Sequence, residues 1–358
     1  MSNRHTNLAK LGWCDWFDER AVACGGSDDT LARVVAVDRE QWLLVNESGM
    51  FRAKLAGSYS HHHPLAHDLP CVGDWVFVEK LENDDFGVIR ALLDRKTKLC
   101  RAAPGSPHDY QVIAANIDCV FIVQSCHFDF NVKRLERYLV MVTDGGAEPC
   151  VLLTKSDLVD AETRRLQLAA IGAARIAAPV LTLSNVTREG VDELTQMLKP
   201  AMTYCLVGSS GVGKSTIING LLGRELLETR VVSATGEGRH TTVRRELVIL
   251  QNGALVIDSP GMREFGILQA ERGLEVGFSD IALRASDCRF RDCTHTSEPG
   301  CVVLSALETG QIDRAHYDNF IKLRKESEFA QQSHAEKRKK DRDFGKFMKS
   351  AKKVLDRD

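Results

Sequence analysis

Residues Gly208-Ser209-Ser210-Gly211-Val212-Gly213-Lys214-Ser215 fit the spacing G-x-x-x-x-G-K-S, a pattern suited to holding a phosphate chain. Glycines lacking a Cβ let successive N–H groups turn inward towards phosphate oxygens. The Lys214 ammonium would reach the β- and γ-phosphates, and the Ser215 hydroxyl would ligate Mg²⁺. Thr216 closes the phosphate-binding stretch. An apolar run, 204–207, reads as a buried strand ahead of the loop, and 216–222 reads as a helix stopped by Gly223. That helix would add its N-terminal donors and dipole. A chance glycine turn would not need both the strand and the helix. The chain is expected to bind a nucleoside triphosphate with Mg²⁺.

Thr154-Lys155-Ser156-Asp157 follows the apolar run 149–153. At the end of a buried strand, an Asn-Lys-x-Asp type of motif selects guanine. Its carboxylate accepts from the base N1–H and exocyclic amine, a donor pair that adenine does not offer. Asp157 would do this, and the Lys155 stem would cover the base. Thr154 replaces the usual Asn, which keeps a hydrogen-bonding side chain but leaves bracing of the loop open. Ser184, in Leu183-Ser184-Asn185-Val186, closes the next strand, where backbone N–H groups would face the guanine O6.

Downstream, Gly238-Arg239-His240-Thr241-Thr242 offers a switch threonine, Thr241 or Thr242, to complete Mg²⁺ coordination. Asp258-Ser259-Pro260-Gly261 fits D-x-x-G. Asp258 would hold the Mg²⁺ hydration shell, and the Gly261 N–H would face the γ-phosphate. Ras-like enzymes orient the attacking water with a glutamine just after this motif; here Met262 stands there and cannot. His240 is the candidate to orient or polarise the water, against the plainer reading that it packs or caps its loop. Intrinsic GTP hydrolysis is expected to be slow.

Cys288, Cys293, His295 and Cys301 give C-x4-C-x-H-x5-C. Three thiolates and one imidazole form a closed tetrahedral set suited to one structural Zn²⁺. Polar neighbours (Arg289, Asp292, Thr294, Glu298) argue against three merely buried cysteines. A second cluster, His61-His62-His63 with His67, is expected in a loop. It invites a metal reading but fits a surface histidine run equally well.

The elements that must position these groups follow from composition and periodicity. A chain of 358 residues has room for two or three domains. It has no run of eighteen apolar residues and no signal-like start, so a cytoplasmic protein with no membrane partner is expected. Eleven cysteines, several inside apolar runs, fit small core hydrophobes in a reducing compartment. Residues 322–358 hold 13 Lys/Arg against 7 Asp/Glu, a basic segment that would attract phosphate.

Residues 1–30 read as a mobile arm, docking through Trp13, Trp16 and Phe17. Five short strand-like runs within 31–96 suggest a small barrel such as the OB-fold; in it Arg33, Arg52 and Lys54 are either phosphate contacts or solvated strand faces. Residues 97–268 alternate strand and helix, as in a doubly wound parallel sheet, with a hairpin around Asn252-Gly253. Residues 269–325 carry the cysteine cluster and helices at 304–309 and 312–324, leaving 326–358 as a basic tail.

The base-reading motif precedes the phosphate loop, the reverse of ordinary GTPases. A join near Lys199-Pro200-Ala201 would permit that permutation. This order, with GSSGVGKS, GRHTT, DSPGMRE and the cysteine cluster, resembles the circularly permuted GTPases of the RsgA type, ribosome small-subunit-dependent GTPases of bacteria. The resemblance covers about residues 31–325. It implies a multi-domain protein: an N-terminal OB-fold β-barrel, a central permuted α/β GTPase domain and a C-terminal, mostly α zinc domain on the same four ligands. It also implies hydrolysis of GTP to GDP and phosphate, stimulated by the 30S subunit during its late maturation, with 16S rRNA as a contact. A monomer is expected. Two other readings stand beside it: a GTP-gated RNA-binding module in which turnover is incidental, and an ATPase acting on RNA. The Thr154–Asp157 motif argues against the last.

Overall fold

The computed structural model describes residues 6–23, 31–38, 40–63, 65–80, 86–102, 110–223, 245–258 and 270–331. Two short helices, α1 (Thr6–Ala9) and α2 (Asp15–Ala23), lead into five strands: β1 (Leu31–Asp38), β2 (Gln41–Asn46), β3 (Gly49–Leu55), β4 (Trp75–Lys80) and β5 (Phe86–Leu92). A helix, α3 (Gly57–His62), lies between β3 and β4. The strands pair in the order β1-β2-β3-β5-β4, and β4 returns to β1. Only the β3–β5 pair in this ring is parallel. Closure leaves the barrel without a free edge. Phe51 and Ala53 are buried while Arg52 and Lys54 between them are exposed, the period-two alternation of a half-buried strand.

Three expectations change here. Residues 6–23 dock through the expected Trp13, Trp16 and Phe17, but as packed helices rather than a mobile arm: Leu8, Leu11, Trp13, Phe17 and Ala21 bury against Trp75 and Leu93. Trp13 meets Trp75 edge-on at 4.7 Å. Burial of these side chains and the helical hydrogen bonds of α1 and α2 together offset the entropy of ordering the segment. The histidine run is not in a loop, since His61 and His62 end α3 and His63 caps it. Arg33 is neither solvated nor able to meet phosphate. It is 1% exposed and donates to the carbonyls of Leu11, Gly73 (3.2 Å) and Asn116 (3.1 Å) and to Thr203 Oγ1 (2.9 Å). Burial lowers its pKa to about 10, so it stays charged at neutral pH.

A two-stranded hairpin, β6 (Lys98–Ala102) and β7 (Tyr110–Ala115), leads from the barrel into the second domain. There β8 (Cys119–Ser125), α4 (Val132–Asp144), β9 (Glu148–Thr154), α5 (Ala161–Ala173), β10 (Val180–Thr182) and α6 (Val191–Met197) alternate. The second half holds β11 (Thr203–Val207), α7 (Lys214–Leu222), β12 (Glu246–Ile249) and β13 (Leu255–Asp258). Sheet order is β10-β9-β8-β11-β13-β12, parallel throughout except for β12. β12 and β13 form the hairpin expected around Asn252-Gly253. Ala36 of β1 pairs with Glu246 of β12, so barrel and parallel sheet share one hydrogen-bonded array.

Among the described residues four further helices follow: α8 (Glu271–Gly277), α9 (Ser279–Ala285), α10 (Val302–Glu308) and α11 (Arg314–Gln331). Phe278, Ile281, Val303 and Phe320 join Leu135, Val140 and Val151 in one core, so the C-terminal helices complete the GTPase-domain interior. Inside this contact lies a buried polar network. His316 on α11 meets Glu136 of α4 at 2.5 Å and Asp280 of α9 at 3.1 Å. Asn319 donates to Glu136 at 2.6 Å. Burial opposes the charged imidazolium, but the two carboxylates outweigh it and push the His316 pKa up to about 9.

Candidate nucleotide site and metal centre

The phosphate loop leaves β11 at Gly208 and enters α7 at Lys214. Gly208 has φ +145°, and a Cβ there would fall 2.2 Å from the Val123 carbonyl of the neighbouring strand, so no other residue fits. Gly213, at φ +100°, turns the chain into the helix. The Lys214 ammonium is folded onto its own loop, donating to the carbonyls of Gly208 (2.8 Å) and Ser209 (2.6 Å). Val212 is fully buried, whereas Ser209, Ser210, Gly211 and Ser215 are partly exposed and Thr216 is exposed. The polar groups therefore face outward from a loop anchored by an apolar residue.

The Thr154–Asp157 motif begins at the end of β9, two strands away from β11 and separated from it only by β8. Thr154 is fully buried, and its hydroxyl donates to the Val212 carbonyl at 2.6 Å. Lys155 takes a left-handed conformation, φ 57°, with its ammonium 4.7 Å from the Phe128 ring. Partial burial lowers its pKa, against the pull of Asp157 and Asp129. Asp157 accepts from the Ser184 hydroxyl at 2.5 Å, and that hydroxyl oxygen accepts from the N–H groups of Val186 and Thr187, each at 3.1 Å. Ser156 donates to Glu189 at 2.9 Å. The structure thus ties Thr154 to the phosphate loop and, separately, Asp157 to Ser184.

The β8–α4 connection supplies two residues that the sequence reading missed. Phe128 is exposed beneath Lys155, and Asp129 lies beside Ser209 and Lys214. Asp129 is buried and pairs with Arg134 at 2.7 Å. Burial raises its pKa although Arg134, Ser209 and Lys214 all pull it down. The only sequence signal was position: His127-Phe128-Asp129-Phe130 directly follows a strand flanking the phosphate loop.

Asp258 ends β13 and is buried, in register with Leu206 of β11. A buried carboxylate at the end of the strand beside the phosphate loop, with the Ser215 hydroxyl at the start of α7, is an oxygen donor set that suits Mg²⁺. His240, Thr241, Thr242, Gly261 and Met262 lie outside the described residues.

Cys288, Cys293, His295 and Cys301 bring their donor atoms within 4.8 Å of one another. Cys288 and Cys301 Sγ are 3.8 Å apart and lie 3.6 and 3.5 Å from His295 Nδ1. Zinc–sulfur bonds of about 2.3 Å and zinc–nitrogen bonds of about 2.0 Å give tetrahedral edges of about 3.5–3.8 Å, so the four residues fit zinc. The frame is built around the donors. His295 sits at φ 58°, and Tyr317 of α11 donates to its carbonyl at 2.6 Å. The Leu304 N–H reaches Cys301 Sγ at 3.4 Å, capping α10. Glu298 gathers the N–H groups of Thr294, Thr296 and Ser297.

A parallel sheet that sets a phosphate loop beside a guanine-type motif, with the second preceding the first in the chain, defines a circularly permuted P-loop GTPase. The family model for the RsgA GTPase matches residues 92–268. Over 324 residues, 89% of each chain, the protein is 42% identical to small ribosomal subunit biogenesis GTPase RsgA 1 of Listeria innocua. It is 36% identical over 347 residues to RsgA 2 of Vibrio parahaemolyticus, covering 96% of this chain and 92% of that one. The crystal structure of YjeQ from Thermotoga maritima superposes with a TM-score of 0.61 at 26% identity, over 82% of this chain and 96% of its own. YloQ, described as a circularly permuted GTPase, shares the fold at a TM-score of 0.58 and 23% identity, over 85% and 97% of the two chains. The chain belongs to the RsgA GTPase family and is a GTP-hydrolysing enzyme. Among the described residues no helix is long and apolar enough to cross a membrane.

Proposed function

We propose that the chain binds GTP and GDP through residues 208–216, reads guanine through Asp157, and hydrolyses GTP while docked on the small (30S) ribosomal subunit during its assembly. The observation that carries this is the Thr154–Val212 hydrogen bond. It joins the end of β9 to the phosphate loop, 58 residues further along the permuted chain, as one nucleotide site requires. Lys155 covers the base and Ser184 fixes the Asp157 carboxylate. The subunit as partner rests on the names of the relatives, which are small ribosomal subunit biogenesis GTPases. In this reading 16S rRNA is the contacted surface and the protein works as a cytoplasmic monomer.

Mg²⁺, when bound with GTP, neutralises charge developing on the β- and γ-phosphates. Ser215 and Asp258 would hold it, with Thr241 or Thr242, and Gly261 would face the γ-phosphate. His240 is assigned to orienting the attacking water. Zinc on Cys288, Cys293, His295 and Cys301 has a structural role, since four protein donors leave no open position. Met262, in place of a water-orienting glutamine, favours a second reading in which nucleotide gates binding and turnover is incidental. Hydrolysis measured with and without small subunits separates the two. Stimulated turnover supports the first reading, and unchanged slow turnover supports the second.

A further inference from the structure

Between the barrel and the GTPase domain runs a cleft of about 840 Å³, away from the nucleotide site. Its walls come from α3, β5, the β6–β7 hairpin and the junction of α4 with α8. Two ring pairs face it. Tyr59 and His63 stack at 4.4 Å and 27°, and His67 and Tyr110 at 4.3 Å and 9°. Of the histidines singled out in the sequence, His63 and His67 therefore belong to an aromatic wall, and the geometry gives no metal cluster there: among the described residues the cysteine–histidine set alone has that arrangement.

The lining carries six Lys/Arg against three Asp. Four of the cations are engaged, Arg20 with Glu19, Arg90 with Glu79, Arg95 with Asp74 and Lys96 with Asp118. Lys98 is exposed, 5.8 Å from the Tyr110 ring, and Arg272 is exposed at the start of α8. Of the acids, Asp144 accepts from the Gly273 N–H and lies near Lys98 and Arg272, Asp68 pairs with His67 at 3.6 Å, and Asp94 is exposed.

Flat rings beside exposed cations match the two chemistries of single-stranded nucleic acid: bases that stack on aromatic faces and phosphates that pair with Lys and Arg. Sequence-specific proteins reach RNA chiefly at loops and ends whose bases are already unstacked. The volume lies in the range of small-ligand clefts, roughly 300–1,000 Å³, which suits one or two nucleotides rather than a duplex. An acidic peptide would use the cations and leave the stacked rings without a partner.

We propose that this cleft takes a looped-out nucleotide of single-stranded RNA, its base against the His67–Tyr110 stack and its flanking phosphates on Lys98 and Arg272. The choice of RNA rests on the ribosomal reading above.

The test uses the full-length protein, a short labelled single-stranded RNA, a duplex of equal length, and purified small subunits. The wild type is expected to bind the strand more tightly than the duplex and to photocross-link to it at Tyr110. Replacing Lys98 and Arg272 together by Ala should weaken strand binding about tenfold and flatten its log–log salt dependence by about 1.4, the value for two single-strand phosphate contacts. Tyr110→Leu should weaken strand binding with the salt slope unchanged, and GTP affinity should stay at the wild-type value in both variants. Strand binding that is absent in the wild type, or unaffected by both variants, overturns the cleft. A wild type that binds the strand through Tyr110 yet fails to co-sediment with small subunits overturns the ribosomal reading and leaves the cleft standing.

Discussion

The Thr154 hydroxyl ends the base-reading strand and donates to the carbonyl of Val212 in the middle of the phosphate loop, 2.6 Å away. The threonine thus supplies the bracing that the replacement of Asn left open. Thr154→Val keeps the shape and removes the donor, leaving a buried carbonyl unsatisfied at a cost of roughly 1–3 kcal/mol. GTP and GDP affinities should fall together, because the loop serves both, and Thr154→Ser should stay near wild type. Titration with a fluorescent nucleotide checks this; unchanged affinity in the valine variant would show the bond to be incidental.

Asp157 is held by Ser184, with its carboxylate in place before any base arrives. Asp157→Asn should cost roughly 1.5–3 kcal/mol of GTP affinity, the range for a charge-assisted hydrogen bond. Xanthine carries a carbonyl where guanine has its amine, and an asparagine amide can donate to that carbonyl. The variant should therefore gain affinity for xanthosine triphosphate relative to GTP. Competition between the two nucleotides reads the switch, and a variant retaining full guanine preference contradicts the assignment.

Zinc removal should loosen the segment around residues 288–301 and, through Tyr317, the packing of α11. At such sites metal-binding energy is also folding energy. Cys293→Ser or His295→Ala is expected to lose about one zinc per chain, seen by elemental analysis, and to increase hydrogen exchange in α10 and α11. Native protein purified without zinc would remove the claim.

His316 gives a pH dependence of definite sign. Its folded pKa, about 9, lies above an unfolded value of about 6.5, so the folded state holds the proton more tightly. The stabilisation is complete below about pH 6.5, amounts to about 3 kcal/mol, and disappears as pH rises through 9. The facing groups are Glu136 on α4 and Asp280 on α9, with Arg175 3.7 Å from Asp280 and Asn319 on Glu136. His316→Gln should be less stable at pH 6 and should show a flatter loss of stability between pH 6.5 and 9. Urea midpoints for the two proteins across that window measure the difference.

His240→Ala separates chemistry from packing. If the imidazole orients water, the variant should retain GTP affinity and lose most of the stimulation by small subunits, in the range of about 10²–10⁴-fold for general acid–base assistance. Full stimulation in the variant would assign water positioning to the ribosome.

The barrel strands and the permuted sheet could be read from the chain because each buries one face or both, and that burial sets a period of two or a continuous apolar run. The phosphate loop and the Cys288–Cys301 spacing were legible for a different reason: their chemistry is carried by residues close in sequence. Arg33 was not. Within Leu-Ala-Arg-Val-Val it looks like an outward charge, and only partners as distant as Thr203 reveal why it points inward. Asp129 and Thr154 likewise act through contacts made by folding. Helices α8 and α9 were missed because short helices that complete another domain's core need no amphipathic stripe of their own.

Arg33 grips the N-terminal segment at Leu11, the barrel at Gly73, the β7–β8 turn at Asn116 and the sheet at Thr203. This guanidinium and the β1–β12 pairing together hold barrel and sheet at one angle. The span from the outer wall of the barrel to the phosphate loop is then a fixed length, and the molecule works as a gauge. A partner seated against the barrel would meet the nucleotide at one distance and one tilt, while one of slightly different shape would meet it misaligned. Discrimination of that kind needs no sequence reading. It is built into the stiffness of a buried guanidinium and the strand pairing beside it.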